Sequence, residues 1–125
     1  MFLDTTFLIH LSQELEQDVA GPARTFLGRH RGEAHSVTVI SFGELAVGME
    51  DNQAARDFCS RFRVATLKPE IALEAAQIDR EQIDAGARLG ENDTWIAGFA
   101  RYYGVPLVSR DLAFDRVHGL RRLAY

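Results

Sequence analysis

Short apolar, β-branched runs alternate along this chain with longer amphipathic stretches, and no other feature constrains the fold as strongly. Met1–Asp4 reads as a strand that closes on an acid. Thr6–Glu16 follows with Phe7, Leu8, Leu11 and Leu15 spaced for one helical face. Gly21-Pro22 breaks the chain, and Pro22 suits the first turn of a second helix running to about Arg31. His35–Val39 predicts strand two, and Ser41 starts a third helix that Gly48 disturbs. Asn52–Phe62 predicts helix four and Arg63–Leu67 strand three. A long helix opens at Pro69, carries Ile71, Ala75, Ile78 and Ile83 on one side, and ends at Gly90. Asn92–Tyr103 is a further helix stopped by Gly104 in the left-handed cap position, then Val105–Ser109 is strand four. A short helical turn and an edge strand at Leu120–Leu123 complete the pattern. Alternation of this kind predicts an α/β fold in three layers: a central, mostly parallel sheet of four to five strands with helices on both faces.

At 125 residues the chain predicts one domain over 1–125 with a core that needs no staple. The single cysteine, Cys59, excludes an internal disulfide framework and a cysteine-based zinc site. No apolar run approaches the roughly 18 residues of a membrane span, and Met1-Phe2-Leu3-Asp4 has no basic leader region. Cytoplasm is the expected compartment, with no membrane partner. A net charge of −4 argues against a protein that grips nucleic acid over its whole surface. Nearly all the positive charge is Arg, however, with Lys68 the only Lys, and Arg is the better fork for phosphate.

In a parallel sheet the functional site lies beyond the carboxyl ends of the strands. Four acids fall there: Asp4 at the end of strand one, Glu44 in the first turn of helix three, Asp93 in the first turn of the helix before strand four, and Asp111 two residues after that strand. Each has a local alternative. Asp4 can cap the first helix. Ser41-Phe42-Gly43-Glu44 fits a capping box, Asp93 complements a helix dipole, and Asp111 can cap the turn after strand four. Those alternatives do not account for all four on one edge. Carboxylates sharing a rim repel unless a cation sits among them, and Mg²⁺ suits such a set. Such an ion activates water against a phosphodiester.

The stretches Leu-Asp-Thr-Thr at Leu3–Thr6, Ile40–Leu45, Asn92–Ala97, Leu107–Asp111 and the tail Phe114–Leu120 resemble the motifs of PIN domains, and the tail is similar to that of VapC-type toxins. The resemblance covers nearly the whole chain. It implies a Mg²⁺- or Mn²⁺-dependent endoribonuclease, a homodimer, and a cognate antitoxin that docks near the acids. It carries the acidic roles, catalysis and metal binding, onto Asp4, Glu44, Asp93 and Asp111, and gives Thr6 the place of the hydroxyl residue that orders the site. Ala113 and His118 depart from the family's tail, where an acid and a proline are common.

Arg110, beside Asp111, is the expected phosphate contact, so Thr6 and Arg110 stand as substrate-binding candidates. Trp95 reads as a packing residue before a base-stacking one, and Cys59 as a small buried hydrophobe. His10, His30, His35 and His118 lack metal-ligand spacing. Arg24, Arg29, His30 and Arg31 make a basic cluster on helix two, readable as an RNA track or a solvated helix end. Surplus apolar faces on the early helices favour a dimer or partner surface. Two other classes compete. A phosphoacceptor signalling domain needs an acidic pair after strand one and a Lys after a late strand, where this chain has a single Asp4 and Arg110. A non-catalytic module of the same fold would have no need of all four acids.

Overall fold

A computed structural model describes residues 1–125. Its five strands are β1 (Phe2–Leu3), β2 (Ser36–Thr38), β3 (Arg63–Ala65), β4 (Leu107–Val108) and β5 (Arg122–Leu123). They form one all-parallel sheet in the order β3-β2-β1-β4-β5. The helices are α1 (Thr5–Glu16), α2 (Pro22–Arg29), α3 (Val39–Val47), α4 (Asn52–Cys59), α5 (Pro69–Asp84) and α6 (Glu91–Tyr103), with a 3₁₀ turn at Leu112–Arg116. The expected three-layer α/β architecture is present. The edge strand is confined to Arg122–Leu123 and pairs with β4 through Leu107↔Arg122 and Val108↔Leu123.

The strands are short, but alternation makes each serve two cores. Phe2 and Leu107 point to the α5–α6 side and pack with Ile71, Ile78, Ile96 and Phe99. Leu3, Val37 and Val108 point the other way, among Phe7, Leu8, Leu11, Phe26 and Phe58. Each fully buried Phe or Leu contributes roughly 1.5–3 kcal/mol. The turn between α1 and α2 is held by a buried carboxylate: Glu14 accepts from the Ala23 and Arg24 amides at 2.9 and 2.7 Å. It supplies the cap that Gly21 cannot. A Cβ on Gly21 would lie 2.3 Å from Glu14 Oε1, so a side chain there would push the cap aside.

Several boundaries differ from expectation. α2 ends at Arg29, two residues before Arg31. α3 starts at Val39, not Ser41, because Thr38 ends β2 and caps the helix by accepting from the Ser41 amide at 3.0 Å. Ser41 is therefore buried inside the helix, no Ser41–Glu44 capping box forms, and Glu44 lies in the second turn rather than the first. Gly48 ends α3 instead of disturbing it. α4 stops at Cys59, three residues short of Phe62. α5 ends at Asp84, before Gly90, which precedes α6 as its N-cap. Gly104 does take the left-handed cap, at φ 64° and ψ 33°.

Candidate active site

The order of the sheet reverses at β1, which has β2 on one side and β4 on the other. A crevice opens beyond the strand ends at such a point. Asp4 follows β1 directly and is buried. Its Oδ1 accepts from the Phe7 amide at 2.8 Å, which caps α1, and its Oδ2 accepts from Ser109 Oγ, just past β4. The same Ser109 oxygen accepts from the Asp111 amide at 3.0 Å. One hydroxyl thus ties the first acid to the segment bearing the last. Asp111 in turn caps the 3₁₀ turn by accepting from the Ala113 amide at 2.9 Å. For Asp4 and Asp111, the capping role and a place on the rim coexist.

Glu44 reaches the rim from α3, where Thr5 Oγ1 donates to its Oε1 at 2.6 Å. Asp93 reaches it from the first turn of α6. Burial first, then the charges of Asp111, Glu44 and Asp4, push the Asp93 carboxyl above the usual range. No donor offsets that rise. Asp4 is also raised, by burial first, against the lowering effect of Ser109 and the Phe7 amide. Asp93 is therefore within electrostatic reach of the other three acids, and Asp4 of Asp111.

The acids are grouped loosely. No three acidic, His or Cys side chains stand close enough to form a metal-ligand set as they are placed. Mg²⁺ asks for less than that, since it is commonly held by one or two carboxylates and keeps several waters. An all-oxygen donor set, with Asp93 repelled by three like charges and met by no cation, fits a hydrated ion of this type.

Thr6 is exposed and donates to none of the acids; the hydroxyl that holds Glu44 belongs to its neighbour Thr5. Helix phase decides this, because consecutive residues point about 100° apart. Sequence reasoning does not single out Ser109 or Thr5, although Thr5 adjoins the acid that closes β1 and Ser109 directly follows β4. Arg110 is exposed between Ser109 and Asp111, with its Nε donating to the Tyr125 main-chain oxygen at 3.2 Å. Trp95 is half-buried beside Ala72, Ala75 and Ala76 of α5, as a packing residue would be, and Cys59 is buried in the core. In the basic cluster, Arg24 is tied to Val19 O and His30 to Glu33 and the Phe26 ring.

An all-parallel three-layer sheet with its acids at the point of reversal defines the class, and a family model for the PIN domain matches residues 1–120: the chain belongs to the PIN domain family. Its relatives are of the VapC type. It is 30% identical to "Ribonuclease VapC2" of Haemophilus influenzae strain Rd over 127 residues, covering 95% of this chain and 92% of the relative. "Ribonuclease VapC" of strain 86-028NP matches to the same extent. Among solved structures, VapBC2 of Rickettsia felis superposes with TM-score 0.82 at 18% identity, over 98% of this chain and 96% of that one. VapBC of Salmonella typhimurium gives 0.80 at 23%, with the same coverage. At those identities the likeness is one of fold.

Proposed function

We propose that this chain is a Mg²⁺-dependent endoribonuclease, with Mn²⁺ as a substitute, acting as the toxin of a toxin–antitoxin pair. The observation that carries the reading is that Ser109 joins Asp4 to the Asp111 segment beyond the reversal point of the sheet, while Asp93 feels the charges of Asp111, Glu44 and Asp4. The names of the VapC relatives support the RNA substrate, and the VapBC complexes support the antitoxin partner.

Asp4 and Asp93, with Glu44 and Asp111 around them, would hold the ion. When bound, it would supply an activated water and neutralise charge growing on the phosphodiester. The chain's own residues do the positioning. Ser109 and the Phe7 amide fix both oxygens of Asp4, so that carboxylate is oriented before any ligand arrives. Thr5 fixes one oxygen of Glu44 and leaves the other free. Asp93 has no donor and is the acid most in need of a cation. Arg110, beside Asp111, is the phosphate contact in this reading, and Thr6, exposed on the first turn of α1, is a second contact for the substrate.

The test is cleavage of a structured RNA by the purified protein with Mg²⁺ or Mn²⁺. Excess EDTA should abolish it, and Asp93→Asn should lower the rate by orders of magnitude with the fold intact. Full activity in EDTA would refute the mechanism.

A further inference from the structure

Tyr125 comes after the last strand yet is drawn back toward the acids. Its ring meets Phe7 of α1 edge to face, with centroids 4.6 Å apart. Its hydroxyl lies 2.8 Å from His10 Nδ1. Its main-chain oxygen accepts from Arg110 Nε, and the Arg110 guanidinium carbon stands 4.4 Å above its ring centre. Phe7 and His10 thus fix one ring, and that ring carries one guanidinium. Arg110 is the residue between Ser109, which holds Asp4, and Asp111. Its two terminal nitrogens bond to nothing in the protein. The Tyr125 phenol is neutral at neutral pH, as any phenol of ordinary acidity is, and burial first, then the Asp4 charge, raise it further to about 12, so it brings no negative charge beneath the guanidinium.

We infer that Tyr125 is a positioning residue: it lays Arg110 flat at the rim of the acids, with the guanidinium's free edge outward, to take a phosphate of a single RNA strand. A long Arg side chain left free would sample many rotamers, and the covered face plus the Nε bond remove most of them. The two remaining nitrogens form the fork that matches two phosphate oxygens. A cation held here also offsets the repulsion between an RNA backbone and four carboxylates. The inference rests on the RNA-cleaving reading above.

The test uses the full chain carrying Asp93→Asn, so that a labelled single-stranded oligoribonucleotide stays intact, and measures binding across a range of salt. Arg110→Ala should weaken binding and reduce the slope of log K against log salt by about 0.7, the value of one phosphate on a single strand. Tyr125→Leu keeps an apolar cover over Phe7 and removes no charge. It should nonetheless lose most of the same slope, and adding it to Arg110→Ala should cost nothing more. Arg110→Lys keeps the charge but cannot stack or use Nε, and should behave as Arg110→Ala even if Tyr125→Leu folds poorly. Parent-like binding by Arg110→Lys, or an unchanged slope in a folded Tyr125→Leu, would overturn the inference and leave the nuclease reading standing. A parent protein that binds no RNA would overturn both.

Discussion

Both oxygens of Asp4 are engaged, one by the Phe7 amide and one by Ser109. Substitutions there should therefore separate chemistry from stability. Asp4→Asn keeps an acceptor for the helix cap and should stay folded while cleavage falls by orders of magnitude. Asp4→Ala loses the cap as well and should cost a further ~1 kcal/mol in stability; melting of the two variants side by side checks this. Asp93 gives the opposite case. Its proton affinity is raised in the folded state, so its stabilising contribution is present below the unfolded pKa and is lost as pH rises through the folded one. At neutral pH, without a cation, it is a net cost. Asp93→Asn should melt above the parent at neutral pH in EDTA, and the gap should close as pH falls toward about 4. A parent that melts higher than the variant at neutral pH would make Asp93 a structural cap. The places of the four acids in the fold were legible in the sequence, because each follows a strand or lies near the start of a helix. Ser109 and Thr5 were less so, since a hydroxyl has many local uses and only the fold shows which partner it finds.

At the scale of elements, the alternation of apolar runs identified every strand, and the errors lie at boundaries. His35–Val39 reads as one β-branched strand, but Val39 and Ile40 are already helical. They pack against the α5–α6 core, and that burial outweighs the modest helix propensity of β-branched residues. Likewise the amphipathic stretch after Pro69 gives no sign that it stops at Asp84, because the Ala85–Gly86 turn falls inside an otherwise helical composition. The α5–α6 contact itself depends on Gly98. A Cβ there would lie 2.9 Å from Ala75 Cβ and 3.1 Å from its main chain, which cannot swing away. Gly98→Val should destabilise by about 1–3 kcal/mol or more through overpacking, read as a lower denaturation midpoint at unchanged slope. Because α6 carries Asp93, the variant should also lose activity when folded.

For the molecule as a whole, Val47, Leu73, Ile83 and Leu112 leave large apolar side chains in solvent. A homodimer is the proposed state, and light scattering should give about 28 kDa, twice 14.0 kDa. A steady monomer mass at tens of micromolar would remove the dimer and leave the catalytic reading intact. Mg²⁺ at about 100 times its dissociation constant should stabilise the fold by roughly 2.7 kcal/mol. Melting temperature should rise by several degrees at constant ionic strength, and Asp93→Asn should gain less. An equal gain in both proteins would exclude Asp93 from the ion's ligands. No helix is long and apolar enough to cross a membrane.

The hydrogen bond between Ser109 and Asp4 spans 105 positions of the chain. At the ribosome, where about 5–20 residues are added each second, that distance is roughly five to twenty seconds of elongation. Once Ser36–Thr38 have been added β1 has a partner strand in β2, but until the end of that interval it lacks β4, and Asp4 lacks the hydroxyl that fixes its other oxygen. The rim of acids therefore cannot be complete on a nascent chain until β4 and Ser109 have emerged, so the ribosome has already read past those codons before the site exists.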